Sequence, residues 1–197
     1  MRGEENRVPE DMTMVRLCAP TLAGMKTGSL YNYCYSNREA MMDSVRGWNR
    51  KLRQKGVCLI PLRFSGHTAL LYLFRPALLR GDLQCERASC ILRGLGYGSA
   101  ECGKCLSKLI ERIKDRESFP HEIGLFLGYP PEDVEGFIQN RATGFKTVGY
   151  WKVYGDAGNA ERIFRKYRKC TDLYCRRLRN GESVERLTVS QQPPATI

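Results

Sequence analysis

The stretch Val57-Cys-Leu-Ile-Pro-Leu-Arg-Phe64, then Ser65-Gly66-His67, then Thr68-Ala-Leu-Leu-Tyr-Leu-Phe74, decides the fold. Two runs rich in apolar and aromatic residues flank a short glycine-bearing connection, which predicts a β-hairpin. Arg75-Pro76 ends the second run, because a proline offers no N–H to a sheet ladder. Outward from the hairpin, Ser29 to Tyr35 alternates Leu30, Tyr31, Tyr33 and Tyr35 and reads as a strand. A helix is expected from a Ser36 cap to about Lys55, with Glu39 completing the capping box and Gly56 ending it. Its apolar positions Met41, Met42, Val45, Trp48 and Leu52 recur at helical spacing.

Downstream, helices are expected over Pro76 to Arg80, Leu83 to Leu95 and Ser99 to Glu117. A helix of about 131–140 starts at Pro131, with Glu132 and Asp133 in its first turn, where the helix dipole favours negative charge. Gly144 to Tyr154 reads as a last strand, and 159–179 as a long helix with the stripe Ile163, Phe164, Tyr167, Cys170, Tyr174, Leu178. Four strands with a central hairpin, and helices between and after them, indicate α+β: a small, mostly antiparallel sheet covered by several helices. The expected organisation is a disordered 1–10, a single domain over 11–179 and a flexible tail over 180–197. Upstream, Glu10 to Leu17 is expected as a short helix or strand, ending in the turn-rich segment 18–28.

A chain of 197 residues can bury a core without disulfides or metal. No run of about 18 apolar residues is present, so no membrane span is expected. The first residues carry no apolar signal region, and a cytoplasmic location follows as the expectation. Nine cysteines in a reducing compartment should be free thiols, ligands or catalytic groups. The formal charge of +11 invites a nucleic-acid reading, but a solvated basic face is the preferred account, because basic balance alone says little about binding specificity.

Four motifs stand out: Cys18-Ala-Pro-Thr-Leu-Ala-Gly24, Leu70-Leu-Tyr-Leu-Phe-Arg-Pro76, Phe119-Pro-His-Glu-Ile-Gly-Leu-Phe-Leu-Gly-Tyr-Pro130 and Trp151-Lys-Val-Tyr-Gly-Asp156. In their order and wording the chain resembles an uncharacterised family of anaerobic Gram-positive bacteria, catalogued as a domain of unknown function (DUF3793-like). The resemblance runs from about Asp11 to Tyr174. It implies no established activity; members found beside flavodoxins and iron-uptake proteins would suggest a metal or redox context. Cys102 and Cys105 fall outside the family pattern.

The candidate site is expected where the 18–28 loop, the 119–130 corner and the 155–158 turn meet. Cys18, read as lying before a short helix that Thr21 caps, would gain thiolate character from the helix dipole. His121 would act as base and Glu122 or Asp156 as the orienting carboxylate. The same residues could instead hold a metal or cofactor. Thr21, Lys26, Arg75, Tyr129 and Lys152 are the expected binding residues for a small molecule or cofactor that the sequence does not identify.

Two further signals carry less. Cys102-Gly-Lys-Cys105 with Cys85 and Cys90 could supply four thiolates, but the first spacing is wide and Cys102 and Cys105 fall on an apolar stripe, so packing is expected and no metal site. Gly94, Gly96 and Gly98 follow a helix rather than a strand, which rejects a dinucleotide fingerprint. The alternative function is a non-catalytic module. Its basic C-terminal helix (Arg162, Arg165, Lys166, Arg168, Lys169, Arg176, Arg177, Arg179) would bind nucleic acid or an acidic partner weakly.

Overall fold

The computed structural model describes residues 7–99, 101–114 and 119–190. In chain order its elements are α1 (Arg7–Leu22), β1 (Gly28–Cys34), α2 (Arg38–Leu52), β2 (Cys58–Ser65), β3 (Thr68–Phe74), α3 (Pro76–Gln84), α4 (Glu86–Gly94), α5 (Cys102–Lys114), α6 (Ile123–Phe126), α7 (Pro131–Gln139), β4 (Thr147–Val148), β5 (Lys152–Val153), α8 (Ala157–Arg179) and α9 (Val184–Leu187). The expected hairpin is β2–β3, with Ser65 opposite Thr68 and Gly66 at φ +55° in the turn. β1 pairs with the other edge of β3, giving the antiparallel order β1-β3-β2. The fold is α+β, as expected.

β3 is the middle strand, and both of its faces are covered. Ala69, Leu71 and Leu73 enter one core with α1, α2, α8 and α9. Tyr72 and Phe74 enter a second core with α3 to α7. This explains why β3 is apolar at nearly every position rather than at alternate ones. At Leu62, β2 carries a bulge: Pro61 faces Leu71, and Arg63 faces Leu70. Pro61 and the bulge also protect this outer edge against pairing with another chain. A third cluster packs Trp151, Val153, Ala160, Phe164 and Tyr167 between the β4–β5 ribbon and α8.

Several expectations are corrected. The 18–28 segment is not turn-rich from its start, because α1 continues through Cys18 and Pro20 to Leu22. Met14, Val15, Cys18, Ala19 and Leu22 recur at helical spacing and are all buried. Their burial, roughly 1.5–3 kcal/mol for a large apolar side chain, outweighs the bond lost to a proline so close to the helix end. Asn37, not Ser36, caps α2: its Oδ1 accepts from the Glu39 and Ala40 N–H groups at 2.8 and 3.0 Å. The breaks between downstream helices move to Cys85 and to Cys102.

The expected strand over 144–154 is only the two-residue pair β4 and β5, a separate ribbon. Gly149 lies directly against the Phe164 ring, so this segment packs its rings on α8 instead of extending a ladder. The chain ends were also underestimated. Residues 7–10 are helical. Ser183 caps α9, Val184 and Leu187 are buried, and the Val189 N–H donates to the Leu22 carbonyl at 3.0 Å. The expectations for 1–6, 115–117 and 191–197 lie outside the described residues.

Candidate functional site

The four residues expected to do chemistry do not converge. Cys18 is fully buried in the first core. It lies near the C-terminal end of α1, where the dipole disfavours a thiolate, not at an N-terminus. Burial pushes its thiol up to about 12, against the opposing pull of the Lys26 ammonium and a hydrogen bond with Ser29. Glu122 turns into the second core, where it meets Arg112 Nε at 2.6 Å and accepts from the Tyr97 hydroxyl at 3.0 Å. Asp156 is exposed and caps α8, accepting from the Asn159 N–H at 2.9 Å. His121 also stays at the surface, with its ring edge-on to Phe137 and centroids 4.9 Å apart.

Two expected binding residues are structural. Thr21 is buried and its hydroxyl pairs with that of Ser29 at 2.9 Å. Arg75, 1% exposed, donates to the carbonyls of Thr21 (2.6 Å), Leu22 (2.6 Å), Val189 (2.8 Å) and Lys55 (3.4 Å). Its guanidinium closes the C-terminal end of α1 and fastens residues 188–190 there. Carbonyls, not a carboxylate, meet this buried charge and take four of its five N–H donors, so Arg75 is committed to the fold.

The expected meeting of the 18–28 segment with the 119–130 corner does occur. Gly128, at φ +75°, approaches Thr27 so closely that a Cβ there would stand 2.6 Å from the threonine Oγ1. The Tyr72 hydroxyl donates to the Phe126 carbonyl. Lys26 is buried with its ammonium 5.2 Å from the centre of the Tyr129 ring. Desolvation lowers that ammonium to about 8, with the Cys18 sulfur pulling the other way.

On the outer side of Tyr129 the corner, α7 and the β4–β5 ribbon enclose a cleft of about 380 Å³. Its walls are rings: Phe119, Phe137, Tyr129, Tyr150 and Trp151. Tyr129 stacks on Trp151 at 4.8 Å and donates its hydroxyl to the Tyr150 carbonyl at 3.1 Å. Burial raises this phenol to about 12, so it remains a donor. Asp133, at the third position of α7, accepts from Trp151 Nε1, Tyr154 N and Gly155 N, each at 2.7 Å. That carboxylate is buried and accepts three bonds, and it serves to fix the wall.

Among the described residues, two groups remain to meet a ligand. One is the His121 imidazole. The other is Lys152, whose Nζ spends one of three donors on the Ala142 carbonyl at 2.8 Å. The lysine also lies 4.8 Å from the Phe145 ring centre and 5.8 Å from that of Phe137. Phe119, Phe145 and Val148, at 41%, 39% and 59% exposure, are all at this cleft or beside it. Such a concentration of exposed apolar surface marks a binding place more often than an accident of packing. The sequence reading found His121, Tyr129 and Lys152. It missed Phe119 and Trp151, whose signal was the rings inside two of the four motifs, and Phe137, which lies outside all four.

Elsewhere the chemistry is thin. All nine cysteines are free thiols, and among the described residues no three His, Cys, Asp or Glu side chains gather as a metal site would require. Cys105 is buried and bonds the Ser99 carbonyl, as packing residues do. On α8 the basic residues form the outer face, while Phe164, Tyr167 and Tyr174 are buried beneath it, so no ring stands among its charges. No helix among the described residues is long and apolar enough to cross a membrane.

Fold and cleft together define a small α+β protein with a ring-walled pocket beside its sheet. Residues 14–188 match the family model described as a protein of unknown function (DUF3793), and the chain belongs to that family. No curated protein and no solved structure matches it.

Proposed function

We propose that the protein binds a small, planar organic anion, a substrate or cofactor, in the cleft between the 119–130 corner and the β4–β5 ribbon. The observation that carries this reading is the pairing of stacked aromatic walls with one available ammonium, Lys152, and one available imidazole, His121. A concave, mainly apolar cavity with a few convergent polar groups is the usual form of a small-molecule site, and about 380 Å³ suits a ligand of one or two fused rings. The rings would stack on the ligand's faces, and Lys152 would meet its charge. Catalysis through Cys18 has no place in this reading, since a fully buried thiol held protonated cannot reach a substrate. A reducing, cytoplasmic setting suits a chain whose nine cysteines are unpaired.

The test is a fluorescence titration with 2-naphthoate in a Trp48→Phe background, which leaves Trp151 as the single tryptophan. Saturable change in Trp151 emission, lost in Phe137→Ala, is expected. A flat response to naphthoate, indole-3-carboxylate and comparable acids at millimolar concentration would refute the reading.

A further inference from the structure

A second cavity lies along the β2 edge of the main sheet and shares no residue with the ring-walled cleft. It is a groove of about 670 Å³ along β2, lined by Arg38, Arg63, Phe64, Lys114 and Ile110 among others. Among the described residues, three cations and no carboxylate line it. Among the described residues, none of the three cations makes an ion pair or a hydrogen bond; Arg38 instead lies 4.1 Å from the centre of the Phe64 ring. Cations gathered in one concavity repel one another, and an arrangement of this kind is stabilised by an anion.

The β-bulge builds the groove. Without it, strict alternation from Leu59, which packs in the first core, would turn Arg63 toward that core's side. The extra residue, Leu62, places Arg63 opposite Leu70 and Phe64 opposite Ala69. Arg63 thereby comes to the α5 side, where Ile110 and Lys114 complete the wall. Phe64 comes to the α2 side, where Arg38 stacks on it. Bulges re-aim side chains at binding sites in this way.

We infer that this groove is a binding site for a phosphate-bearing ligand, held by Arg38, Arg63 and Lys114. Arginine presents a planar fork that matches phosphate oxygens, and the Phe64 ring, its centre 4.1 Å from the Arg38 guanidinium carbon, holds that side chain at the groove's edge. Lysine supplies a compact third charge. The free nucleotide and the backbone of a single-stranded nucleic acid both offer this chemistry.

The experiment titrates the full chain with ATP and, separately, with a labelled dT12 oligonucleotide, at low salt, following amide shifts and anisotropy. Saturable binding is expected, with shifts at Arg63, Phe64 and Ile110 and a roughly tenfold loss of affinity in Arg63→Gln. Because Arg63 lies in the sheet, Lys114→Gln, at an exposed helix end, is the second variant and should weaken binding in the same direction. Much tighter binding of dT12 than of ATP assigns the strand backbone as the source; comparable binding assigns the free nucleotide; either supports the site. No binding of either probe, affinity unchanged in the Arg63→Gln, Lys114→Gln double variant, or shifts confined to the basic face of α8 would overturn it.

Discussion

Asp133 accepts the indole N–H of Trp151 at 2.7 Å, with one carboxylate oxygen, while the other oxygen takes the backbone N–H groups of Tyr154 and Gly155. A single buried side chain thus joins the first turn of α7 to the ribbon and holds the ring wall of the cleft in place. Besides this carboxylate the ribbon is held by its packing on α8 and by the Tyr129 hydroxyl on the Tyr150 carbonyl, because β4 and β5 share only two residue pairs.

Asp133→Asn should therefore destabilise the protein. The amide keeps one acceptor oxygen and turns its NH2 toward a buried N–H donor. The expected cost is about 2–3 kcal/mol, the range for a buried donor left unsatisfied beside a lost charge-assisted bond. Urea unfolding measures it. A change below about 0.5 kcal/mol would mean that the ribbon is held by other contacts.

Arg75→Lys should loosen the C-terminal segment selectively. A lysine cannot span the carbonyls of Thr21, Leu22 and Val189, which the guanidinium fork reaches together. A loss of about 2–4 kcal/mol is expected, with faster amide exchange and earlier proteolysis at 180–190 than elsewhere. Uniform loosening of the whole chain would show that Arg75 does not fasten this segment in particular.

Lys26 predicts a pH signature. The folded ammonium gives up its proton near 8, whereas the unfolded one keeps it to about 10.5. Between those values the unfolded chain binds more protons, so stability rises with pH. Cys18 opposes this above 9.0, because its folded thiol stays protonated to about 12 while the unfolded thiol ionises. Of this pair, Lys26 alone acts between pH 8 and 9. Lys26→Met should flatten the rise there relative to wild type, measured by urea unfolding at each pH. An identical slope in both proteins would contradict the account.

Much of this architecture was legible in the sequence, for physical reasons that differ by element. Gly66 between two apolar runs marked the hairpin, and the stripe Phe164, Tyr167, Cys170, Tyr174 marked α8. α1 was hidden by Pro20, although Met14, Val15, Cys18, Ala19 and Leu22 already carried the helical period. The ribbon was hidden because Lys146 to Tyr154 has a strand's composition, yet its rings pack on α8 and leave only two-residue pairings. The roles of Glu122 and Arg75 depend on partners distant in sequence, Tyr97 and Val189, which no local pattern announces. The site was legible as a corner carrying His121 and Tyr129, but not as a cleft, since Trp151 and Phe137 reach it from separate elements.

The central claim is that Lys152 selects a planar anion against the ring wall. It is tested most directly by comparing the affinities of 2-naphthoate and its uncharged amide, in the Trp48→Phe background with and without Lys152→Met. The account predicts that the acid binds several-fold to tenfold tighter than the amide, as roughly 1 kcal/mol of partly screened charge pairing would give, and that the preference disappears without the ammonium. Equal affinities for acid and amide in the presence of Lys152, or a preference that survives its removal, would contradict it.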